Sequence, residues 1–234
     1  MAEVEFIERT KFASFQKKKN AQDFLLTAGA GCLLFSYAGP GTQTVNKKWA
    51  VTWETFLASQ RNFITANIDV RGTGFQGDNF KHSVYEELGR REAEDTLYVI
   101  GQLGEKFRFI DRQRICVWGW SYGGYVTGLM MAQVGLEQSE QISCGISVSP
   151  VTQWLHYDTA YTERYLGLPA QEHNARGYIL SSLLQVADNI PDGRFMLVHG
   201  TQDDNVHIQH SMRLSRELVE NDIVFRQQVS LSHS

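Results

Sequence analysis

The segment GWSYGG at residues 119–124 constrains this chain more than any other feature. It matches G-x-S-x-G with Ser121 at its centre, and it follows the apolar run at 115–118, which predicts a buried strand. Residues 122–134 predict a helix. A tight turn between a strand and a helix exposes the serine hydroxyl and aims the next backbone N–H, that of Tyr122, at a reacting carbonyl. The competing interpretation is a glycine-rich turn in which Ser121 merely caps the helix.

Predicted strands and helices alternate along the rest of the chain. Such alternation requires crossover connections, which favour a mostly parallel sheet with helices on both faces and functional residues at the carboxyl ends of the strands. We find no repeat and no linker, so a single α/β domain is predicted. The strands are expected at 33–37, 63–69, 142–149, 195–199 and 223–229, and the helices at 92–103 and from Ile208 through Met212 to Val219.

A serine hydroxyl becomes a strong nucleophile when a histidine takes its proton and an acid orients that histidine. In a fold of this kind the acid and then the histidine follow the serine along the chain. Asp203 comes just after a predicted strand and is the candidate acid, with Asp204 as its rival; a turn or a helix cap would also explain either residue. His207 and His210 lie too near the acid in sequence, so His233 is the predicted base, although it is the penultimate residue.

Composition and charge narrow the function further. The net charge is −4 and the one basic run is Lys17–Lys19, so nucleic-acid binding is not expected. The apolar stretch that follows this run contains glycines and Asp23 and is too short to span a bilayer, and the acidic N-terminus does not suit a signal peptide. The localisation therefore stays open.

Three cysteines are too few and too scattered for a disulfide framework or a zinc knuckle. Cys116 lies in a predicted strand and is interpreted as a small core residue. Because the count is odd, at least one thiol has no partner within the chain. No metal or cofactor is predicted.

Several motifs together resemble the dipeptidyl peptidase IV branch of the prolyl oligopeptidase family, a family of α/β-hydrolase serine peptidases. The likeness runs from about residue 37 to residue 225, with 1–30 a poorly matched segment and 31–234 the expected catalytic domain. The motifs are YAGP at 37–40, DVRGTG at 69–74, WGWSYGGYVT at 118–127, YTERY at 161–165 and HGTQDDNVH at 199–207.

This resemblance implies a role for each matching residue. Ser121 is the nucleophile, Asp203 rather than Asp204 is the acid, and the Tyr37 hydroxyl joins the Tyr122 amide in the oxyanion hole. Asn205 is expected to donate a hydrogen bond to a substrate carbonyl. A pocket shaped for proline or alanine is implied, where the residues alone would suggest core packing; its expected walls are Tyr122, Val151, Trp154, Tyr157, Tyr161 and Val206.

The chain departs from the family at both ends. Relatives carry an N-terminal β-propeller, and they continue past the penultimate strand to a histidine and a last helix; this chain is expected to lack the propeller and that helix. His233 stands about two places early. The resemblance also implies that Cys144 pairs with a cysteine in the C-terminal region that is not found here.

Three functions remain open at this level. The leading prediction is a serine exopeptidase that acts on peptides with proline or alanine at the penultimate position. The alternatives are an inactive, truncated chain that serves as an interaction module, and an esterase with the same fold. The family implies a membrane-anchored extracellular or secreted protein that often forms homodimers.

Overall fold

A computed structural model describes residues 30–231 of the chain. Their sheet has six strands, all paired in parallel, in the order β2-β1-β3-β4-β5-β6. The strands are β1 (Ala30–Phe35), β2 (Ile64–Asn67), β3 (Ile110–Trp120), β4 (Cys144–Val148), β5 (Phe195–Gly200) and β6 (Arg226–Ser230). The predicted parallel sheet is confirmed, and its central strand β3 is the one that leads into Ser121.

Seven α-helices connect these strands within residues 30–231. They are α1 (Trp53–Gln60), α2 (Asp78–His82), α3 (Arg90–Lys106), α4 (Tyr122–Leu136), α5 (Thr159–Leu166), α6 (Ala175–Leu180) and α7 (Gln209–Glu220), with 3-10 turns at Trp154–His156 and Leu183–Asn189. The crossover α4 packs on both β3 and β4, and α7 packs on β5. This arrangement is the predicted α/β-hydrolase fold.

The core forms where β3 and β5 meet the helices. Val117 and Leu197 are fully buried in the sheet, and they belong to the same core cluster as Met130 of α4 and Leu214 of α7. Parallel strands buried on both faces are expected to be continuously apolar, and β3 follows that rule in its second half. This buried strand therefore fixes the position of Ser121, the residue that directly follows it.

The buried face of α7 differs from the predicted one. Spacing placed Ile208, Met212 and Val219 on the apolar side, but Met212 is 41% exposed and Val219 is 65% exposed. Leu214 and Leu218 are buried in their place, together with His210 and Ser211. The prediction failed because two polar side chains belong to the inward face, where they bond to other elements as described below.

The cysteines also correct the sequence-based interpretation. Cys116 on β3 and Cys144 on β4 form a disulfide, with their Cα atoms 4.7 Å apart. The parallel register places these two residues directly opposite each other. Cys116 is therefore not a simple core thiol, and Cys144 is paired inside the described residues rather than with a distant C-terminal cysteine. Cys32 is unpaired and buried, and burial raises the pKa of its thiol to about 12.

Among residues 30–231, no helix combines the length and the apolar character that crossing a membrane would require.

Candidate active site

Ser121 occupies a strained turn between β3 and α4. Its φ of 58° and ψ of −116° lie outside the regions that non-glycine residues normally adopt. The Ser121 N–H donates to the Val148 carbonyl at 2.8 Å, and the Ser121 carbonyl accepts from the Tyr125 N–H at 3.1 Å. Such strain persists only where the surroundings hold it in place, and it is typical of functional sites. Ser121 is half-buried, and its backbone forms a tight turn of the kind expected from the motif.

Three glycines allow this turn because other chain segments lie against them. A Cβ on Gly119 would collide with the backbone of Gly123, and a Cβ on Gly123 would collide with the Ser36 carbonyl at the end of β1. At Gly124 a Cβ would come within 2.8 Å of the Val148 carbonyl. The G-x-S-x-G-G pattern therefore records a close approach of β1, β3 and α4, which favours the nucleophile turn over an ordinary cap.

Asp203 lies in the turn after β5, on the far side of β4 from Ser121. Its Oδ1 accepts the backbone N–H groups of Asn205 and Val206, each at 3.0 Å. The Asp203 side chain is only 6% exposed, whereas Asp204 is exposed. Of the two aspartates, Asp203 is therefore the one whose carboxylate the fold holds in a fixed position.

The His199 side chain contacts the turn that contains Asp203, and the sequence analysis assigned it no role. The buried ring contacts the Val206 carbonyl through Nε2 at 2.7 Å and the Ser211 hydroxyl through Nδ1 at 2.6 Å. The same Nε2 lies 3.5 Å from Asp203 Oδ2. Burial lowers the pKa of His199, so the ring is neutral near pH 7 and its N–H donates to the Val206 carbonyl. The motif H-G-x-x-D was its signal in the sequence.

The other histidines after the acid are accounted for differently. His210 is buried on α7, and its Nδ1 accepts the Thr152 N–H at 3.1 Å, while Thr152 Oγ1 donates to the His210 carbonyl at 3.0 Å. Burial lowers the pKa of His210 to about 4. His207 is exposed. The predicted base, His233, lies outside the described residues.

The predicted pocket residues form an aromatic cluster around Tyr122. The Trp154 ring lies 5.6 Å from that of Tyr122, 5.9 Å from that of Tyr157 and 6.0 Å from that of Tyr161, on which it stacks. Trp154, Tyr122, Val151 and Val206 are buried, and Tyr157 and Tyr161 are partly buried. The structure thus brings together the aromatic residues that the resemblance assigned to one pocket.

Tyr37 and Asn205 adjoin this cluster. The Cα of Tyr37 lies 3.0 Å from the position that a Cβ on Gly123 would occupy. Burial raises the pKa of the Tyr157 and Tyr161 hydroxyls, and the Tyr37 hydroxyl adds a smaller contribution to each. The Tyr157 hydroxyl donates to Asn205 Oδ1 at 2.8 Å, which ties the acid turn to the aromatic cluster.

Glu92 is a second residue that the sequence reasoning missed. It lies in the first turn of α3 and is fully buried. Its Oε1 accepts the Tyr122 hydroxyl at 2.5 Å, and its Oε2 accepts the Gly89 N–H at 3.0 Å. Burial raises the pKa of Glu92 to about 7. Its signal in the sequence was helical spacing, since Glu92 precedes buried Thr96 and Ile100 by one and two turns.

Comparison with known proteins identifies the family. The sequence model of the prolyl oligopeptidase family matches residues 49–233. This chain belongs to the prolyl oligopeptidase family. It is 43% identical over 194 residues to dipeptidyl peptidase 4 of Sus scrofa and 43% identical over 195 residues to the prolyl endopeptidase FAP of Mus musculus. Each alignment covers 83% of this chain and 25% of the relative, so the chain spans about a quarter of the length of these proteins.

A solved structure agrees with the assignment to the prolyl oligopeptidase family. The dipeptidyl peptidase 4 of Porphyromonas gingivalis matches with a TM-score of 0.83 and 32% identity. The match covers 96% of this chain and 32% of the bacterial protein. The family and the fold predicted from the motifs are therefore confirmed, while the individual roles of the site residues remain predictions.

The buried carboxyl group of Glu92 should make the stability of the folded chain depend on pH. Glu92 has an ordinary pKa of 4.5 and a folded-state pKa of about 7, so the folded chain holds this proton more tightly than the unfolded chain. The favourable contribution of the protonated carboxyl is complete below pH 4.5 and is lost as the pH rises through 7. The loss of this contribution between pH 4.5 and about pH 7 lowers the free energy of unfolding by about 3 kcal/mol.

Glu92→Gln should remove this pH dependence. Urea unfolding at about pH 5 and about pH 8 should show that the stability of the wild type falls relative to the variant between these two values. Glu105→Gln is the matched control, because Glu105 lies on the same helix with its side chain 64% exposed. If the stability difference between wild type and Glu92→Gln were equal at both values, the interpretation of the buried carboxyl would be wrong.

Proposed function

We propose that this chain carries the catalytic site of a serine peptidase that releases dipeptides from substrates with proline or alanine at the penultimate position. The observation that carries the proposal is the backbone of Ser121, held at a φ of 58° at the carboxyl end of the central strand. A turn of this geometry exposes a serine hydroxyl next to a backbone N–H that can stabilise the transition state. Membership of the prolyl oligopeptidase family supports the reaction class.

The proposed chemistry proceeds through an acyl-enzyme. Ser121 Oγ attacks the carbonyl carbon of the penultimate residue while a histidine, proposed to be His233, takes the hydroxyl proton. Asp203 orients that histidine. The Tyr122 N–H and the Tyr37 hydroxyl donate to the oxygen that becomes negatively charged.

The collapse of this intermediate completes the cycle. The carbon–nitrogen bond breaks, and the departing amine receives the proton from the histidine. A water molecule then attacks the ester on Ser121 and gives a proton to the same histidine. The bond to Ser121 Oγ breaks, the histidine returns that proton to the serine oxygen, and the dipeptide leaves as a carboxylic acid. The scheme requires no metal or cofactor.

The aromatic cluster supports the proposed specificity. Walls made by Tyr122, Trp154 and Tyr161 are apolar and rigid, which suits a compact ring and disfavours long or charged side chains. Asn205 uses its side-chain oxygen to accept the Tyr157 hydroxyl. The side-chain NH₂ group of Asn205 is then the donor of the proposed hydrogen bond to a substrate carbonyl.

Covalent labelling tests the nucleophile directly. The folded chain is incubated with a fluorophosphonate, which modifies activated serines, and the labelled peptide is identified by mass spectrometry. We expect the label on Ser121 in the folded chain and none after heat denaturation. A folded chain that takes up no label would favour the alternative of an inactive interaction module.

Substrate comparison then tests the specificity. We expect a glycyl-prolyl anilide to be cleaved with a higher kcat/KM than a short acyl ester of nitrophenol. Acetylation of the amino terminus of the same anilide separates dipeptide release, which it should block, from endopeptidase cleavage. Labelling of Ser121 with turnover of the ester alone would instead indicate an esterase.

A further inference from the structure

The contact between Glu92 and Tyr122 joins two segments of the candidate site. Glu92 belongs to α3, and Tyr122 is the residue directly after the nucleophile. Both side chains are buried, with Glu92 fully enclosed and Tyr122 2% exposed. A carboxyl group in such a place is costly unless its oxygens accept hydrogen bonds. The Tyr122 hydroxyl and the Gly89 N–H supply one each.

Two hydrogen-bond donors face the carboxyl group of Glu92 at this position. Its two oxygens accept from two donors at the same time, as observed here. A glutamine can accept the Gly89 N–H through its oxygen and donate to the Tyr122 oxygen through its NH₂ group, which leaves the Tyr122 O–H hydrogen without the acceptor that Glu92 gives it. An unpaired donor in a buried place costs more than an ordinary hydrogen bond contributes. The pair is therefore matched to glutamate and tyrosine.

The hydroxyl contact acts on the ring of Tyr122 rather than on its backbone. The hydroxyl of this ring is hydrogen-bonded to Glu92, and the ring centre lies 5.6 Å from that of Trp154 and 5.6 Å from that of Tyr125. The Tyr122 backbone is placed independently, because the Ser121 N–H is bonded to Val148 and α4 begins at this residue. Loss of the Glu92 contact should then loosen a pocket wall while the oxyanion N–H stays in place.

We propose that Glu92 is a positioning residue that sets the selectivity of this site for proline, because it fixes the Tyr122 ring as a wall of the substrate pocket. The inference rests on the proposed function. It assigns Glu92 no contact with substrate. Its role is exerted through Tyr122, so the effect of changing it should depend on the tyrosine hydroxyl.

A selectivity measurement tests this role. The ratio of kcat/KM for the prolyl anilide to kcat/KM for the short acyl ester should fall about tenfold in Glu92→Gln. The rate of fluorophosphonate labelling should stay within about twofold of the wild type, because the turn at Ser121 is held by other bonds. Glu105→Gln should change neither quantity. An unchanged ratio in a folded Glu92→Gln variant would overturn the proposal.

A double-mutant cycle separates positioning from a general loss of stability. Tyr122→Phe keeps the ring and removes the hydroxyl, so Glu92→Gln should cause no further loss of selectivity in that background. A second tenfold loss would mean that Glu92 acts by another route and would overturn the proposal. If Glu92→Gln does not fold, Tyr122→Phe alone should reproduce the loss of selectivity, and a wild-type ratio in that variant would have the same meaning.

An infrared titration makes the test independent of turnover. The carboxyl band of Glu92 should be absent from Glu92→Gln, and its pKa should rise further in Tyr122→Phe, because the tyrosine hydrogen bond lowers that pKa. A chain that reacts with neither fluorophosphonate nor substrates would refute the proposed function and with it the selectivity role, whatever the titration gives. An active chain whose carboxyl pKa is the same with and without the Tyr122 hydroxyl would refute the positioning role alone.

Discussion

Ser121→Ala should abolish labelling by a fluorophosphonate and lower peptidase turnover by about a millionfold, the effect of removing the nucleophile from a serine-protease triad. The fold should survive this change, because alanine loses the hydroxyl alone and the turn depends on backbone bonds to Val148 and Tyr125. The comparison of circular dichroism and urea unfolding between wild type and variant checks that the loss is chemical.

A serine outside the site supplies the control for this prediction. Ser59→Ala removes a hydroxyl on α1 that contacts the Phe56 carbonyl at 3.5 Å, and labelling should continue at the wild-type rate. If Ser121→Ala is labelled as fast as the wild type, the reactive serine lies elsewhere and Ser121 is a helix cap.

Gly123→Ala should disable the site by a different route, through the backbone. The new methyl group would overlap the Ser36 carbonyl, which is main chain and cannot rotate away. The end of β1 and the start of α4 must then separate, at a cost of about 3 kcal/mol in the free energy of unfolding. Since Tyr37 follows Ser36 directly, both predicted oxyanion donors would move, and the rate of fluorophosphonate labelling should drop at least about a hundredfold.

The same substitution at a less crowded position in a helix should not destabilise the fold. A methyl group on Gly101 in α3 meets the side-chain nitrogen of Gln141 at 3.3 Å, so this side chain, which donates to the Leu97 carbonyl, has to move by only a few tenths of an ångström. Gly101→Ala should therefore be neutral or stabilise by up to about 1 kcal/mol, since alanine favours helix. If Gly123→Ala unfolded at the same urea concentration as Gly101→Ala and kept its labelling rate, the close approach of β1 and α4 would be refuted.

The central strands of the sheet were predictable because they contain continuous apolar runs that are separated by helical segments. Residues 115–118 and 195–199 are such runs, and each lies within an observed strand, β3 or β5. The short helices α2 and α6 left no comparable signal, since five or six residues are too few for a helical period to appear. The inward face of α7 was mispredicted because His210 and Ser211 are buried through partners distant in sequence.

The site was predictable to the extent that local backbone geometry demands particular residues. Ser121 could be recognised in the sequence because its turn requires glycine on both sides. Glu92 and His199 could not be recognised in this way. A polar side chain is buried where partners satisfy it, and their partners, Tyr122 and Val206, come into contact with them only in the folded structure. The Cys116–Cys144 bond likewise depends on the register of two strands, which spacing along the chain does not fix.

The crowding of Gly123 against Ser36 has a consequence for the order in which the molecule matures. These two residues are far apart along the chain, and the strands β1 and β3 that bring them together pair across α1, α2 and α3. Contacts between such distant segments form late, because a long loop must close first. The conformation of Ser121 that depends on this contact is therefore expected only after β1 and β3 have paired. In the proposed peptidase, the nucleophile would therefore not become reactive while the chain is still unfolded.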